Sequence, residues 1–192
     1  MRAFELIVIG CSLGGMRALQ EVLGALPAKF PVPVAVVQHR HKASNEGLPT
    51  FLRKSSKLRV VDVDDKLWIK PGTVYLAPAD YHLLVERGAF SLSVDDRVSY
   101  SRPSIDVLFE SAADAYGSKV VGVVLTGSNN DGARGVKRIK TRGGFAVAQD
   151  PKTAEAPEMP QAAIDAARVD RILPLESIGP FLVELCGGAP RS

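Results

Sequence analysis

Cysteine is scarce: the 192-residue chain has two, Cys11 and Cys186. Two are too few for a disulfide framework, and their spacing does not suit a zinc site. Charge of one sign is also missing. Lys and Arg total 24 against 21 Asp and Glu, a formal charge of +3, too mild for the concentrated basic face that nucleic acid requires. No apolar run reaches the ~18 residues of a membrane span. The N-terminus runs from Met1-Arg2-Ala3-Phe4 directly into a short apolar strand, with no signal-peptide core or cleavage site. Internal repeats, low-complexity tracts and dividing linkers are absent too. What remains is an ordinary globular composition, 46% hydrophobic and 23% charged, long enough to fold around its own core. The expectation is one cytoplasmic domain over residues 1–192 with a core from Phe4 to Leu185, in a reducing compartment.

Short apolar runs alternate with helical patterns along the chain. Phe4–Gly10, Val32–His39 and Lys119–Thr126 read as buried strands. Leu58–Val63, Thr73–Ala77, Phe145–Gln149 and Arg171–Leu173 add shorter ones. Between them, Met16, Leu19, Val22, Leu23 and Leu26 recur at helical spacing up to Pro27, and further helices are predicted over Gly47–Lys57, after Ser104, around Val136 and Ile139, and over Pro160–Ala167 and Ile178–Leu185. Ser104 is placed to cap the helix carrying Ile105, Leu108, Phe109 and Ala112. His82–Glu86 and Phe90–Val94, joined across Arg87-Gly88-Ala89, predict an antiparallel hairpin. Residues from Gly187 to Ser192 are expected to fray. The pattern predicts a doubly wound α/β fold, mostly parallel, with helices on both faces and a small hairpin insertion.

Ligands of such folds bind beyond the carboxyl ends of the strands. Three strand ends carry chemistry: Gly10-Cys11-Ser12-Leu13-Gly14-Gly15, Gln38-His39-Arg40-His41, and Gly127-Ser128-Asn129-Asn130-Asp131-Gly132. A hydroxyl, an imidazole and a carboxylate on one sheet edge are the parts of an acyl-transfer triad. Serine needs a base to take its proton, and the base needs a carboxylate to fix its tautomer. Ser12 stands in G-x-S-x-G form on a strand-to-helix turn, with a helix N-terminus behind it to receive an oxyanion.

Each residue also has a plainer reading. Ser12 suits a turn or a phosphate cradle, His39 competes with His41, and Asp131 suits the cap of the helix that follows it. Gly10-x-Ser12-x-x-Gly15 is one substitution from a dinucleotide fingerprint, and Arg40 could meet a 2′-phosphate, which makes NADP binding a minor alternative. His39, His41 and His82 are poor metal ligands at their spacing, so no metal and no cofactor is expected. The basic helix from Arg134 to Arg142 is either a solvated face or a surface that steers an acidic partner.

Six blocks of the sequence resemble the catalytic domain of the chemotaxis protein-glutamate methylesterases, the CheB family. They are Val8–Gly15, Val36–His39, Tyr75–Pro78, Arg102–Asp106, Leu125–Gly127 with Asn130–Gly135, and Ala148–Asp150 with Met159-Pro160. The resemblance implies a hydrolase that removes methyl groups from glutamate methyl esters on the cytoplasmic helices of chemoreceptors, with receptor glutamines as further substrates. It implies Ser12 as nucleophile, His39 rather than His41 as base, and Asp131 as the orienting carboxylate. The backbone N–H groups of Leu13 and Ser128 are the expected oxyanion donors, with Gly14 and Gly15 beside them. Departures fall on the cleft: Leu13 stands where the family usually has threonine, Ser128 where it commonly has methionine, and Arg40-His41 where it has Met-Pro. The family's best-known members also carry a phosphoacceptor receiver domain, which this chain does not contain. It is therefore expected to be either a fragment or a stand-alone relative under separate control. A binding module on the same fold, without turnover, is the alternative reading.

Overall fold

Leu6–Cys11 (β1) is apolar at every position except Gly10, and all six residues are buried. A strand covered on both faces has this composition. In the computed structural model, which describes residues 3–39 and 47–187, β1 is the centre of a seven-stranded sheet. The other strands are Val34–Gln38 (β2), Arg59–Asp62 (β3), Thr73–Leu76 (β4), Val120–Val124 (β7), Phe145–Gln149 (β8) and Arg171–Leu173 (β9). Every pairing is parallel and the order is β3-β4-β2-β1-β7-β8-β9. The winding reverses between β1 and β7, so the loops after these strands part and leave a crevice at their carboxyl ends. His82–Glu86 (β5) and Ala89–Ser93 (β6) form the antiparallel hairpin, turning at Gly88 with φ 86°. The doubly wound sheet and the hairpin insertion agree with the sequence-based expectation.

Side-chain alternation sends two cores to opposite faces. Ile7, Ile9, Cys11, Val34 and Val36 pack with the apolar stripes of Gly15–Gly24 (α1), Gly47–Ser55 (α2) and Leu175–Cys186 (α6). Leu6, Val8, Ala35 and Val37 pack with the hairpin and with Ile105–Tyr116 (α3), Ala133–Thr141 (α4) and Glu158–Ala166 (α5). Each fully buried Leu, Ile, Val or Phe side chain contributes about 1.5–3 kcal/mol of transfer free energy. The last helix begins at Leu175 rather than Ile178, and Pro180 lies within it. The expectation for the C-terminal tail beyond residue 187 lies outside the described residues.

Two local features aim the sheet edge. Gly10 lets α3 settle on β1, because a Cβ there would stand 2.3 Å from Ile105 Cγ2. Gly14, with φ 77°, turns the chain from β1 into α1 without a side-chain cap, a conformation that strains residues bearing a Cβ.

The basic helix α4 is not a bare cationic face. Arg134 pairs with Glu110 at 2.6 Å, Arg138 and Arg142 both reach Asp114 at 2.7 and 2.8 Å, and Lys140 holds Asp170 at 2.6 Å. Pairs of this half-exposed kind are worth little to stability, but three acids among these four cations offset most of their positive field. The expected salt sensitivity of association through this face is therefore small. Raising the ionic strength from 0.05 to about 0.3 M should change turnover less than twofold in a rate assay.

Candidate active site

The nucleophile candidate sits where three segments meet. The Ser12 N–H donates to Thr126 O at 2.9 Å, and the Gly15 N–H donates back to Ser12 O at 2.8 Å. These bonds close the turn and carry it onto the end of β7. Thr126 Oγ1 donates to Leu13 O at 2.9 Å, fastening the next residue as well. Gly127 has no side chain to keep the β7 loop away: a Cβ there would lie 3.0 Å from Ser12 Cβ. Among the described residues, the N–H groups of Leu13, Gly14 and Ser128 meet no acceptor. They are thus open to a ligand oxygen, whereas the Gly15 N–H is already spent.

His39 lies directly across from this turn. Its N–H donates to Cys11 O at 3.0 Å, continuing the β1–β2 register by one residue. Gln38, which the sequence pattern marks only as the polar end of an apolar strand, ties the two loops together. Its Nε2 donates to Ser12 O at 2.8 Å and to His39 O at 3.0 Å, and its Oε1 accepts from Cys11 Sγ at 2.9 Å. A buried polar side chain in such a strand was the available signal. Burial pushes the Cys11 thiol far above its ordinary pKa, so this cysteine packs and donates rather than reacts. The Ser12 hydroxyl makes no hydrogen bond to His39 here. Such contacts often tighten only when substrate is bound.

Asp131 is fully buried and yet densely bonded. Its Oδ2 receives His39 Nε2 at 2.7 Å and the Ile105 N–H at 2.7 Å; its Oδ1 receives Ser104 Oγ at 2.9 Å and the Asp106 N–H at 3.0 Å. Asp131 does act as a helix cap, but for α3 rather than for α4, which follows it. Burial raises its pKa, while the bonds from His39, Asp106 and Ile105 lower it; the balance lies below the ordinary carboxylate value. The ionised carboxylate therefore faces an imidazole whose Nε2 carries the proton. Nδ1 is then the ring nitrogen with the lone pair.

A second carboxylate braces this loop. Asp106 Oδ1 accepts the N–H groups of Gly132 at 3.0 Å and Gly135 at 2.7 Å. Burial raises its pKa to about 6, against the pull of the Gly135 N–H, and the charge of Asp131 adds to the rise. A carboxyl that holds its proton more tightly when folded stabilises the protein most below its unfolded pKa. That contribution fades as pH rises from about 4 through about 6. Asp106→Asn keeps the Oδ1 acceptor and removes the charge. It should raise the melting temperature at pH 7.5 by about 2–4 °C, for a gain of about 1 kcal/mol, and flatten the fall between pH 4 and 6. Thermal scans across that range check both effects.

The third histidine is structural. His82 is buried, its Nδ1 accepts the Ser104 N–H at 3.2 Å and its Nε2 meets Asp96 O at 3.0 Å. Both nitrogens are occupied, leaving none for a metal. His41 and Arg40, on which the rival base and NADP readings rest, lie outside the described residues.

A parallel sheet with a serine turn, an imidazole and a buried carboxylate at its switch point belongs to the class of α/β esterases. Comparison with known proteins narrows the class. The sequence profile described as CheB methylesterase matches residues 7–182, so the chain belongs to the CheB methylesterase family. A Leptospira interrogans protein, provisionally named protein-glutamate methylesterase/protein-glutamine glutaminase, is 47% identical, with 95% of each chain covered. A Carboxydothermus hydrogenoformans protein-glutamate methylesterase/protein-glutamine glutaminase is 42% identical over 91% of this chain and 53% of its own length. The crystal structure of the Thermotoga maritima CheB methylesterase catalytic domain superposes with a TM-score of 0.91 at 36% identity, covering 95% of this chain and 99% of that one.

Proposed function

We propose that this chain is a cytoplasmic serine esterase that removes methyl groups from glutamate γ-methyl esters on the cytoplasmic helices of chemoreceptors, and that deamidates receptor glutamines at the same site. The observation that carries the reading is the buried Asp131 carboxylate bonded to His39 Nε2 at 2.7 Å, on the loop beside the Ser12 turn. Ser12 Oγ attacks the ester carbonyl while His39 Nδ1 takes its proton, and Asp131 stabilises the imidazolium. The carbonyl electron pair moves onto oxygen, which the N–H groups of Leu13 and Ser128 receive. The tetrahedral adduct collapses, methoxide takes the proton from His39, and methanol leaves. A water, deprotonated by the same nitrogen, then opens the glutamyl–Ser12 ester to glutamate and free serine.

Leu13 and Met16 flank the nucleophile and are 55% and 42% exposed. They offer an apolar ledge that suits the apolar side of a receptor helix. Methanol release from purified methylated receptor membranes tests the reading directly. His39→Ala should be inactive while its melting temperature stays close to that of the wild type. Co-sedimentation with receptor but no methanol would instead establish a binding module.

Gln38 is a positioning residue in this scheme. Gln38→Leu removes both donors that join Ser12 O to His39 O, and should lower kcat about 10- to 100-fold at unchanged KM. It also takes the Gln38 donor from the His39 carbonyl, while Ser12 O keeps the Gly15 N–H, at a stability cost of about 1–3 kcal/mol. Steady-state kinetics and denaturant titration separate the two effects.

A further inference from the structure

The base reading leaves one side chain unexplained. Asn129 lies in the loop between Thr126 and Asp131, and its two amide atoms point in opposite directions. Its Oδ1 accepts the Asp131 N–H at 3.0 Å, a local turn that fixes which way the amide faces. Its Nδ2 is thereby turned toward His39 Nδ1, at 3.4 Å. Nδ1 is the nitrogen that remains once Nε2 is bonded to Asp131. An amide NH2 donates and cannot accept.

We infer that Asn129 is a resting-state brake on the catalytic base, capping the Nδ1 lone pair that must receive the Ser12 proton. The inference rests on the assignment of His39 as base. While the ring is neutral, Nδ1 accepts from Asn129. When Nδ1 gains the serine proton, donor faces donor and the contact is lost, so the amide favours the starting state over the transition state. Asp131 already fixes the tautomer through a charge-assisted bond, which is the stronger kind. Asn129 therefore adds little to the orientation of the ring, and its net effect falls on proton uptake. The loop must swing Nδ2 aside for Ser12 to engage Nδ1, and a substrate seated against Leu13 and Ser128 lies where it can drive that movement.

Two substitutions move the effect in opposite directions. In Asn129→Ser the hydroxyl can still accept the Asp131 N–H in the equivalent turn but is too short to reach the ring. In Asn129→Asp the turn acceptor also remains, but the second oxygen accepts from a protonated Nδ1 and traps the imidazolium. The readouts are the rate of Ser12 phosphonylation by a fluorophosphonate probe and the kcat and KM for methanol release, with melting temperature as control. Asn129→Ser should speed phosphonylation and raise kcat by about 2- to 10-fold, the size of one ordinary net hydrogen bond, with KM unchanged. Asn129→Asp should slow both by about tenfold or more. A purely structural asparagine would give no gain with serine and no loss with aspartate, and that result overturns the proposal. If Asn129→Ser melts early, Asn129→Gly replaces it with the same expected sign. His39→Ala separates the two readings: if it remains active, the base assignment fails. If it is inactive while both Asn129 variants match the wild type, only the brake fails.

Discussion

Replacing Ser12 by alanine should lower methanol release from methylated receptor by about four to six orders of magnitude, to the residual level that binding and oxyanion donors support alone. The fold should survive. Among the described residues, the hydrogen bonds of Ser12 all run through its backbone: N–H to Thr126 O, and O from Gly15 and Gln38. Alanine retains every one of them, so the melting temperature should match that of the wild type. A fluorophosphonate should label the wild-type chain once and the alanine variant not at all. Retained turnover at wild-type rate would remove Ser12 as nucleophile and, with it, the acyl-enzyme route.

Asp131→Ala should damage both chemistry and fold. It strips the acceptor from His39 Nε2, Ser104 Oγ and the N–H groups of Ile105 and Asp106. Removing one side of a buried charged pair costs about 3–5 kcal/mol, so denaturant midpoints should fall steeply. Without the carboxylate the imidazole loses its tautomer and the partner for its positive form, and kcat should drop about 10⁴-fold. Asp131→Asn separates these losses, since one oxygen acceptor remains: stability should be partly restored and activity should not. Because the native pKa of Asp131 lies below its ordinary value, its stabilisation is present above the unfolded carboxylate pKa and fades as pH falls below it. Acid unfolding of Asp131→Asn should accordingly be shallower than that of the wild type. An alanine variant as stable and as active as the wild type would show that Asp131 is neither orienter nor anchor.

Much of the fold is legible in the chain because its strands are unambiguous. VVGVV and VAVVQ are β-branched, continuous and short, and a central parallel strand leaves little room for another reading. The hairpin was equally plain, with one glycine at the position that needs a positive φ. The start of α6 is less so: the apolar pattern begins at Ile178, whereas the helix begins one turn earlier at Leu175, directly after Pro174. The site divides in the same way. Ser12, His39 and Asp131 stand out as polar residues at the ends of apolar strands. Gln38, Asp106 and Asn129 do not, and Ser104 does so only as a helix cap, since their partners lie 22 to 90 positions away along the chain.

Local patterning thus decided the elements: which segments are strands, which face of each helix is apolar, and which strand ends carry a hydroxyl, an imidazole and a carboxylate. Those are properties of neighbours along the chain, and hydrophobic period and turn chemistry record them. Only the tertiary structure decided that Asp131 caps α3 instead of α4, that His39 gives its Nε2 to that carboxylate, and that Arg134 and Arg138 of α4 pair with acids on α3. These outcomes depend on which helix settles on β1. The bare Cα of Gly10 and the electrostatic pull of a buried carboxylate on a helix N-terminus favour α3 there, and neither effect leaves a period in the sequence.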